Sequence, residues 1–342
     1  MKKFWKLSIL GCVGTLSLQA VGWYQVPQDP LEKAWGLKLE RRIGKLPDHG
    51  RVEAKHIPWV NHVWDSKKGG IAYRWSNLQS EQASPTNSFT YRTFKRDELL
   101  KMKPEARSDI IKNLSPAEKF DLLRGRYNYP LVQAERKRTY RLKDTQDNLV
   151  IGWAIAATHL QEPGAITRKN IDGIEVPFAS SDIKALTSYF YSQKVGKKLE
   201  TWKAGTAQSI DPATFHIILA NMAGLYERPF IGDLTRGDLP DHRPIVGFDS
   251  DIRFESAGYY RVRTTIEYSR IRAPQWQPFE FYNLDTDREV FEYTLEVNTK
   301  DEIVRGNWTS EVRPSFVWRS NLPALDLDFE ALRDLYHSNS LN

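Results

Sequence analysis

The sequence predicts an α+β fold: a helical part first, an antiparallel β-sheet after it. Three observations carry this. Helix start and stop signals fall before residue 210. Two later stretches, 260–268 and 291–297, alternate apolar and polar residues with period two. No βαβ alternation, repeat or phosphate-cradling glycine loop interrupts that order.

The elements follow in chain order. Leu114-Ser115-Pro116-Ala117-Glu118 opens a helix. Ser115 suits the N-cap, Pro116 the first helical position and Glu118 the third position of a capping box. Gly125 suits its C-terminal stop. Residues 149–161 are apolar and Ala-rich and stop at Pro163-Gly164, which predicts a second, buried helix. Ser181-Asp182-Ile183-Lys184-Ala185-Leu186 opens a third, running to about Gln193. The apolar run 214–220 and the run 230–234 read as short strands. In 260–268, Tyr260, Val262, Thr264, Ile266 and Tyr268 form one face; in 291–297, Phe291, Tyr293, Leu295 and Val297 do. Thr299-Lys300-Asp301 turns into a return strand over 303–308.

The ends read differently. Lys2, Lys3 and Lys6 precede an apolar stretch over 7–18, no acid occurs before Asp29, and Leu18-Gln19-Ala20 is an imperfect small-residue cleavage site. Residues 1–20 are therefore expected to be a secretory signal, too short for a spanning helix, and the protein exported to a periplasm or secreted. No transmembrane span is expected after signal removal. Cys12 is the only cysteine. Ile9-Leu10-Gly11-Cys12 partly matches a lipobox, so lipid attachment is the alternative to a discarded signal residue. A mature chain without cysteine has no disulfide framework and no CxxC metal or redox site, which fits a bacterial envelope. Residues 21–57 read as an N-terminal arm, 58–320 as the main domain and 321–342 as a tail. Residues 58–75 are aromatic-rich and are expected to pack on the main body; 76–96 are polar and read as a loop.

Composition narrows the function classes. A chain of 342 residues with 40% hydrophobic content and eleven Trp buries a large core. The aromatics suit either that core or a groove for peptides or sugars. The formal charge of +6 falls to +3 once Lys2, Lys3 and Lys6 leave with the signal, 46 basic against 43 acidic residues. That balance gives no argument for nucleic acid. One basic run, Arg136-Lys137-Arg138 with Arg141 and Lys143, reads as a solvated face or a contact for anionic envelope polymers. Asp249-Ser250-Asp251 and Asp285-Thr286-Asp287 alternate acidic oxygens but lack the glycine and distant glutamate of a calcium loop. No metal or cofactor is expected.

Covalent acyl chemistry needs a nucleophile, a base within reach and a group that orients the base. A thiol nucleophile gains from the first turn of a buried helix, which lowers its pKa. Val150 stands at the start of the Ala-rich helix, His216 in the run 214–220, and Asp233 after the next apolar run.

At these positions the chain resembles the transglutaminase-elicitor family of oomycete and bacterial transglutaminases. Leu114 to Gly125 resembles its Ser-Pro-Ala-Glu-Lys helix, and Val150-Ile151-Gly152-Trp153-Ala154 resembles its Cys-His-Gly-Trp-Ala nucleophile segment. Ser181 to Leu186 matches its Ser-Asp-Ile-Lys-Ala-Leu block. The stretches 211–224, 230–233 and 239–245 resemble its His strand, Asp strand and Trp-Asn-Gln-Pro stretch. The segments 303–308 and 313–318 resemble its closing strands, so the likeness spans roughly 58–319. It implies a transglutaminase/papain-like fold, a Cys-His-Asp triad, aminoacyltransferase descent and a Gln- or Lys-bearing peptide, protein or cell-wall polymer as partner.

The departures concentrate on the nucleophile side. Val150 replaces the catalytic Cys and Ile151 the following His; Gln146 and Asn148 stand where a Trp and a Gly are expected; the elicitor-like stretch reads Pro240-Asp241-His242-Arg243-Pro244. By resemblance His216 and Asp233 are a vestigial base and orienter, and Trp153 is a candidate wall for substrate. Each has a structural alternative: His216 a bonded core histidine, Asp233 a cap for the turn before Thr235-Arg236-Gly237, Trp153 a core residue. His159 and Thr158 lie too far along the helix to replace the nucleophile. Three functions follow: a pseudoenzyme that retains binding, an acyltransferase or hydrolase using His216 and Asp233 without a cysteine, and a structural envelope protein.

Overall fold

The computed structural model describes residues 30–76, 91–140, 149–198, 210–235, 241–279, 286–319 and 327–337. The expected signal with Cys12, the positions Gln146 and Asn148, most of the polar loop, and Arg141, Lys143 and Asp285 lie outside them.

Helix α1 (Pro30–Trp35) and strand β1 (His49–Arg51) come first. Short β2 (Asn61–His62) follows, then helices α2 (Arg96–Lys101), α3 (Pro104–Lys112), α4 (Pro116–Leu123) and α5 (Pro130–Tyr140). Helix α6 (Leu149–His159) leads to the hairpin β3 (Ile166–Lys169) and β4 (Glu175–Phe178) and to α7 (Ser180–Lys198). After α8 (Pro212–Leu219) the chain continues through a π-helical turn, Ala220–Leu225. Strands β5 (Phe230–Asp233), β6 (His242–Ser256), β7 (Tyr259–Ser269), β8 (Ile271–Arg272), β9 (Thr286–Val297), β10 (Ile303–Trp308) and β11 (Phe316–Trp318) precede α9 (Leu327–His337).

The main sheet is antiparallel in the order β10-β9-β7-β6-β5-β11, with β1 added along β6. The α+β expectation holds. Both alternating stretches are strands, with Val262, Thr264 and Ile266 of β7 and Phe291, Tyr293 and Leu295 of β9 turned into the core. The capping box of α4 forms as predicted: the Ser115 hydroxyl accepts the Glu118 amide at 3.3 Å, and the Glu118 carboxylate accepts the Ser115 amide at 3.0 Å. Gly125 ends that helix in the left-handed region at φ +65°.

Residues 214–220 differ from expectation: they are helical. Asp211 accepts the Thr214 amide at 2.8 Å as N-cap, and Pro212 stands at the first helical position. These start signals outweigh the strand-like apolar run.

The expected domain edges are also packed. Leu31, Trp35, Leu39, Ile43 and Leu46 from the N-terminal arm are buried among residues of the sheet and α8. Leu332, Leu335 and Tyr336 of α9 are buried among α6 and α7.

Two hydrophobic cores result, and β5 and β11 alternate between them. Ile231 and Trp318 point into a first core built on α4 to α7; Phe230 and Val317 point into a second built on α8, β7 and β9. Successive strand residues face opposite sides, so these strands separate the two cores.

Candidate functional site

Val150 lies in the first turn of α6, half-buried against the first core. Helix α6 carries poor helix formers in Val150, Ile151, Gly152 and Ile155, and burial of its apolar run among neighbours offsets that low propensity. It crosses α7 so closely that a Cβ on Gly152 would fall 2.0 Å from the Ser188 carbonyl oxygen. It also packs against β5 and β6. Val150 itself packs against the first core, the one to which Ile231 and Trp318 of the sheet belong. Its side chain has no lone pair, no acidic proton and no hydrogen-bonding group.

Trp153, one turn on, is fully buried, and its indole N–H donates to the Trp59 carbonyl at 2.9 Å. It is a core residue tying α6 to the aromatic segment before β2, not a wall for substrate.

His216 lies on α8 and is 0% exposed. Its Nδ1 is 2.8 Å from the Tyr293 hydroxyl, which is 2.8 Å from Thr264 Oγ1, itself 2.7 Å from Ser250 Oγ. The imidazole thus ends a chain of hydroxyls that crosses the sheet inside the second core. Its Nε2 is buried with no hydrogen-bond partner among the described residues. Burial holds the imidazole pKa down to about 4, so the ring is neutral at physiological pH.

Asp233 ends β5 and is 6% exposed. Its carboxylate accepts the Thr235 amide at 3.0 Å and the Thr235 hydroxyl. This is the turn-capping alternative. Asp233 and His216 share no hydrogen bond. The vestigial dyad is not assembled here because the two side chains serve opposite sides of the sheet: Ile231, on the face of Asp233, belongs to the first core, and the rings around His216 belong to the second.

The histidine that does share a face with Asp233 is His242, which sequence reasoning passed over. In the β5–β6 register Asp233 is directly opposite His242, and in the β11–β5 register it is directly opposite Phe316. Directly opposed residues project to the same side. The His242 ring accordingly meets Phe316 at 5.8 Å and Trp318 at 5.6 Å between centroids. His242 is 8% exposed. Its only sequence-level signal is its place in the stretch after the Asp strand, where the resembled family has an Asn.

The Ser181–Leu186 block has a structural explanation. Asp182 accepts the Ala179 amide at 2.8 Å, which fastens the start of α7, and pairs with the buried Lys119 at 2.6 Å. The Trp75 indole donates to it at 2.8 Å. Ser181 Oγ lies 2.9 Å from His62 Nε2 and accepts the Gln275 amide at 2.7 Å, fixing the strand-end segment over the helix start.

The basic run departs from the solvated face expected of it: Arg138 is half-buried and pairs with the fully buried Glu135, and the half-buried Arg136 lies over the Tyr91 ring, while Lys137 is exposed. Of the alternating acids, Asp251 pairs with Arg253 and Asp287 with Arg270. No group of three metal-ligating side chains occurs among the described residues, and none of their helices is long and apolar enough to cross a membrane. A hollow of about 700 Å³ beside the π-helical turn is lined by Lys38, Glu40, Arg42, Asn221 and Tyr226, among others. Another of about 430 Å³ lies at β1. Neither includes Val150, His216 or Asp233.

No protein-family model and no curated protein matches the chain. Among solved structures, the GP42 transglutaminase from Phytophthora sojae superposes with a TM-score of 0.65, over 91% of this chain and 96% of that one, at 19% sequence identity. Identity at that level speaks to architecture alone, and the architecture is a transglutaminase-like α+β fold.

Proposed function

We propose that this is an exported protein of transglutaminase descent that has lost cysteine-dependent acyl transfer and works by binding a Gln- or Lys-bearing peptide, protein or cell-wall polymer. The observation that carries the reading is the position of Val150. It occupies the first turn of a buried helix that faces the sheet, where a thiol would be activated. Loss of a covalent nucleophile costs on the order of 10⁶ in turnover number in the triad proteases where it has been measured. The enclosed His216 counts against hydrolysis by a water activated on that histidine, since it has no exposed surface. Export rests on the sequence of residues 1–20. The test is incorporation of an amine probe into a Gln-rich acceptor protein, run beside titration calorimetry with Gln-donor and wall peptides. The reading expects no incorporation and measurable binding.

One observation favours the structural alternative, an envelope protein whose cleft is a relic. His216 and Asp233 are both enclosed, and their bonds go to Tyr293 and Thr235, within the fold. That reading expects no binding in the same titration.

A further inference from the structure

We propose that His242, opposed across the strands to Asp233, is the base-side histidine of the cleft beneath the first turn of α6. The inference deepens the function proposed above and rests on it for the identity of the nucleophile position. Its basis is a question of sides. A thiol at the start of α6 can use a base only if that base projects from the sheet face on which α6 packs. Helix α6 packs on β5 and β6. The registers place Asp233, His242 and Phe316 together on one face, with Ile231, Pro244 and Trp318 beside them. Ile231 and Trp318 belong to the core that contains Leu149 and Trp153 of α6, and Val150 packs against the same core. His216 projects into the other core and its Nδ1 is engaged by Tyr293.

The surroundings of His242 suit the role. Phe316 and Trp318 flank the ring and fix its plane. On β5 the titratable group of this face is Asp233. On β6 the neighbours Asp241 and Arg243 pair with each other at 2.5 Å, and Arg243 reaches Ser269 and the Tyr268 ring from the other face. The start of α6 is apolar: Leu149, Val150 and Ile151. On β11, Arg319 beyond the strand end donates to the Trp35 carbonyl. A thiol placed at position 150 would have His242 as the histidine on its own side of the sheet, and transfer of its proton there would leave a thiolate and an imidazolium. In the natural chain Asp233 and His242 stand opposite each other on the two strands against which α6 packs, and position 150 carries no thiol.

The test uses the full chain carrying Val150→Cys, whose only other cysteine, Cys12, is replaced by Ser. The rate of iodoacetamide alkylation is measured against pH, with a thermal melt for each variant. The expected profile shows a thiolate well below the ordinary cysteine value of about 8.5. Adding His242→Gln, which keeps size and hydrogen bonding, should move the midpoint up by at least about one pH unit. Adding Asp233→Asn should move it in the same direction by less, and His216→Gln should leave it in place. An unmoved midpoint in His242→Gln, a shift confined to His216→Gln, or an ordinary midpoint in Val150→Cys itself would overturn the assignment. The alkylation readout needs no transferase activity. Amine incorporation by the natural protein would contradict the proposed function and leave this measurement intact.

Discussion

His216 and Tyr293 form a sealed pair: Nδ1 lies 2.8 Å from the phenol oxygen, and the two rings meet at 65° inside the second core. The contact fixes the geometry of α8 on the sheet. It also removes His216 from the side of the sheet where Val150, Asp233 and His242 lie. The polar chain it joins, through Thr264 to Ser250, spans neighbouring strands, and burial keeps the imidazole neutral.

That neutrality makes stability depend on pH. The folded His216 pKa of about 4 lies below the ordinary 6.5, so the unfolded chain binds the proton first as pH falls. Stability is full above about 6.5, declines between 6.5 and 4, and changes no further from this group below 4. The share is about 3 kcal/mol. Burial, with help from the Lys184 charge, holds His62 down to about 3 with the same sign. Urea unfolding of the natural protein at pH 7 and pH 4.5 should show the loss. His216→Leu should reduce the difference by the share of this group and leave that of His62, and an equal loss in both proteins would contradict a buried neutral His216.

The crossing of α6 and α7 depends on Gly152. A methyl group there would meet Ser188 backbone at 2.0 Å, and backbone cannot swing aside. Gly152→Ala is expected to cost about 3 kcal/mol, the upper part of the overpacking range, and to lower the melting temperature. A melt within experimental error of the natural protein would show that the helices can separate without penalty.

Lys119 and Asp182 are both fully buried and 2.6 Å apart. Burial pushes the Lys119 pKa down while the Asp182 carboxylate opposes that shift. Replacing Lys119 by Met leaves the Asp182 charge enclosed and should cost about 3–5 kcal/mol. The double replacement Lys119→Met with Asp182→Asn should recover part of it. A double variant less stable than either single variant would mean the pair contributes more than mutual neutralisation.

Much of this fold is readable from residues alone, and the unread part has identifiable causes. The β7 and β9 faces follow from strict alternation, and the α4 start follows from Ser115, Pro116 and Glu118. The run 214–220 misleads because a short apolar stretch has no period that separates a buried strand from a buried helix. Asp211 and Pro212 were the available signal. The pairing of His216 with Asp233 misleads for a different reason: spacing along the chain does not say which face of a sheet a side chain takes. His242 became visible only through register, which places it opposite Asp233. The Asp233 cap on Thr235, by contrast, is the local turn chemistry that the sequence offered as the alternative.

The proposed loss of acyl transfer turns on the residue at position 150. Amine-probe incorporation into a Gln-rich acceptor, measured for the natural protein beside Val150→Cys, is the decisive measurement. The natural protein is expected to be silent. Activity in Val150→Cys would show an intact scaffold lacking one nucleophile, whereas silence in both would place the loss also at Ile151, Gln146 and Asn148. Incorporation by the natural protein would overturn the proposed loss of acyl transfer, since it would require a nucleophile other than a thiol at the start of α6.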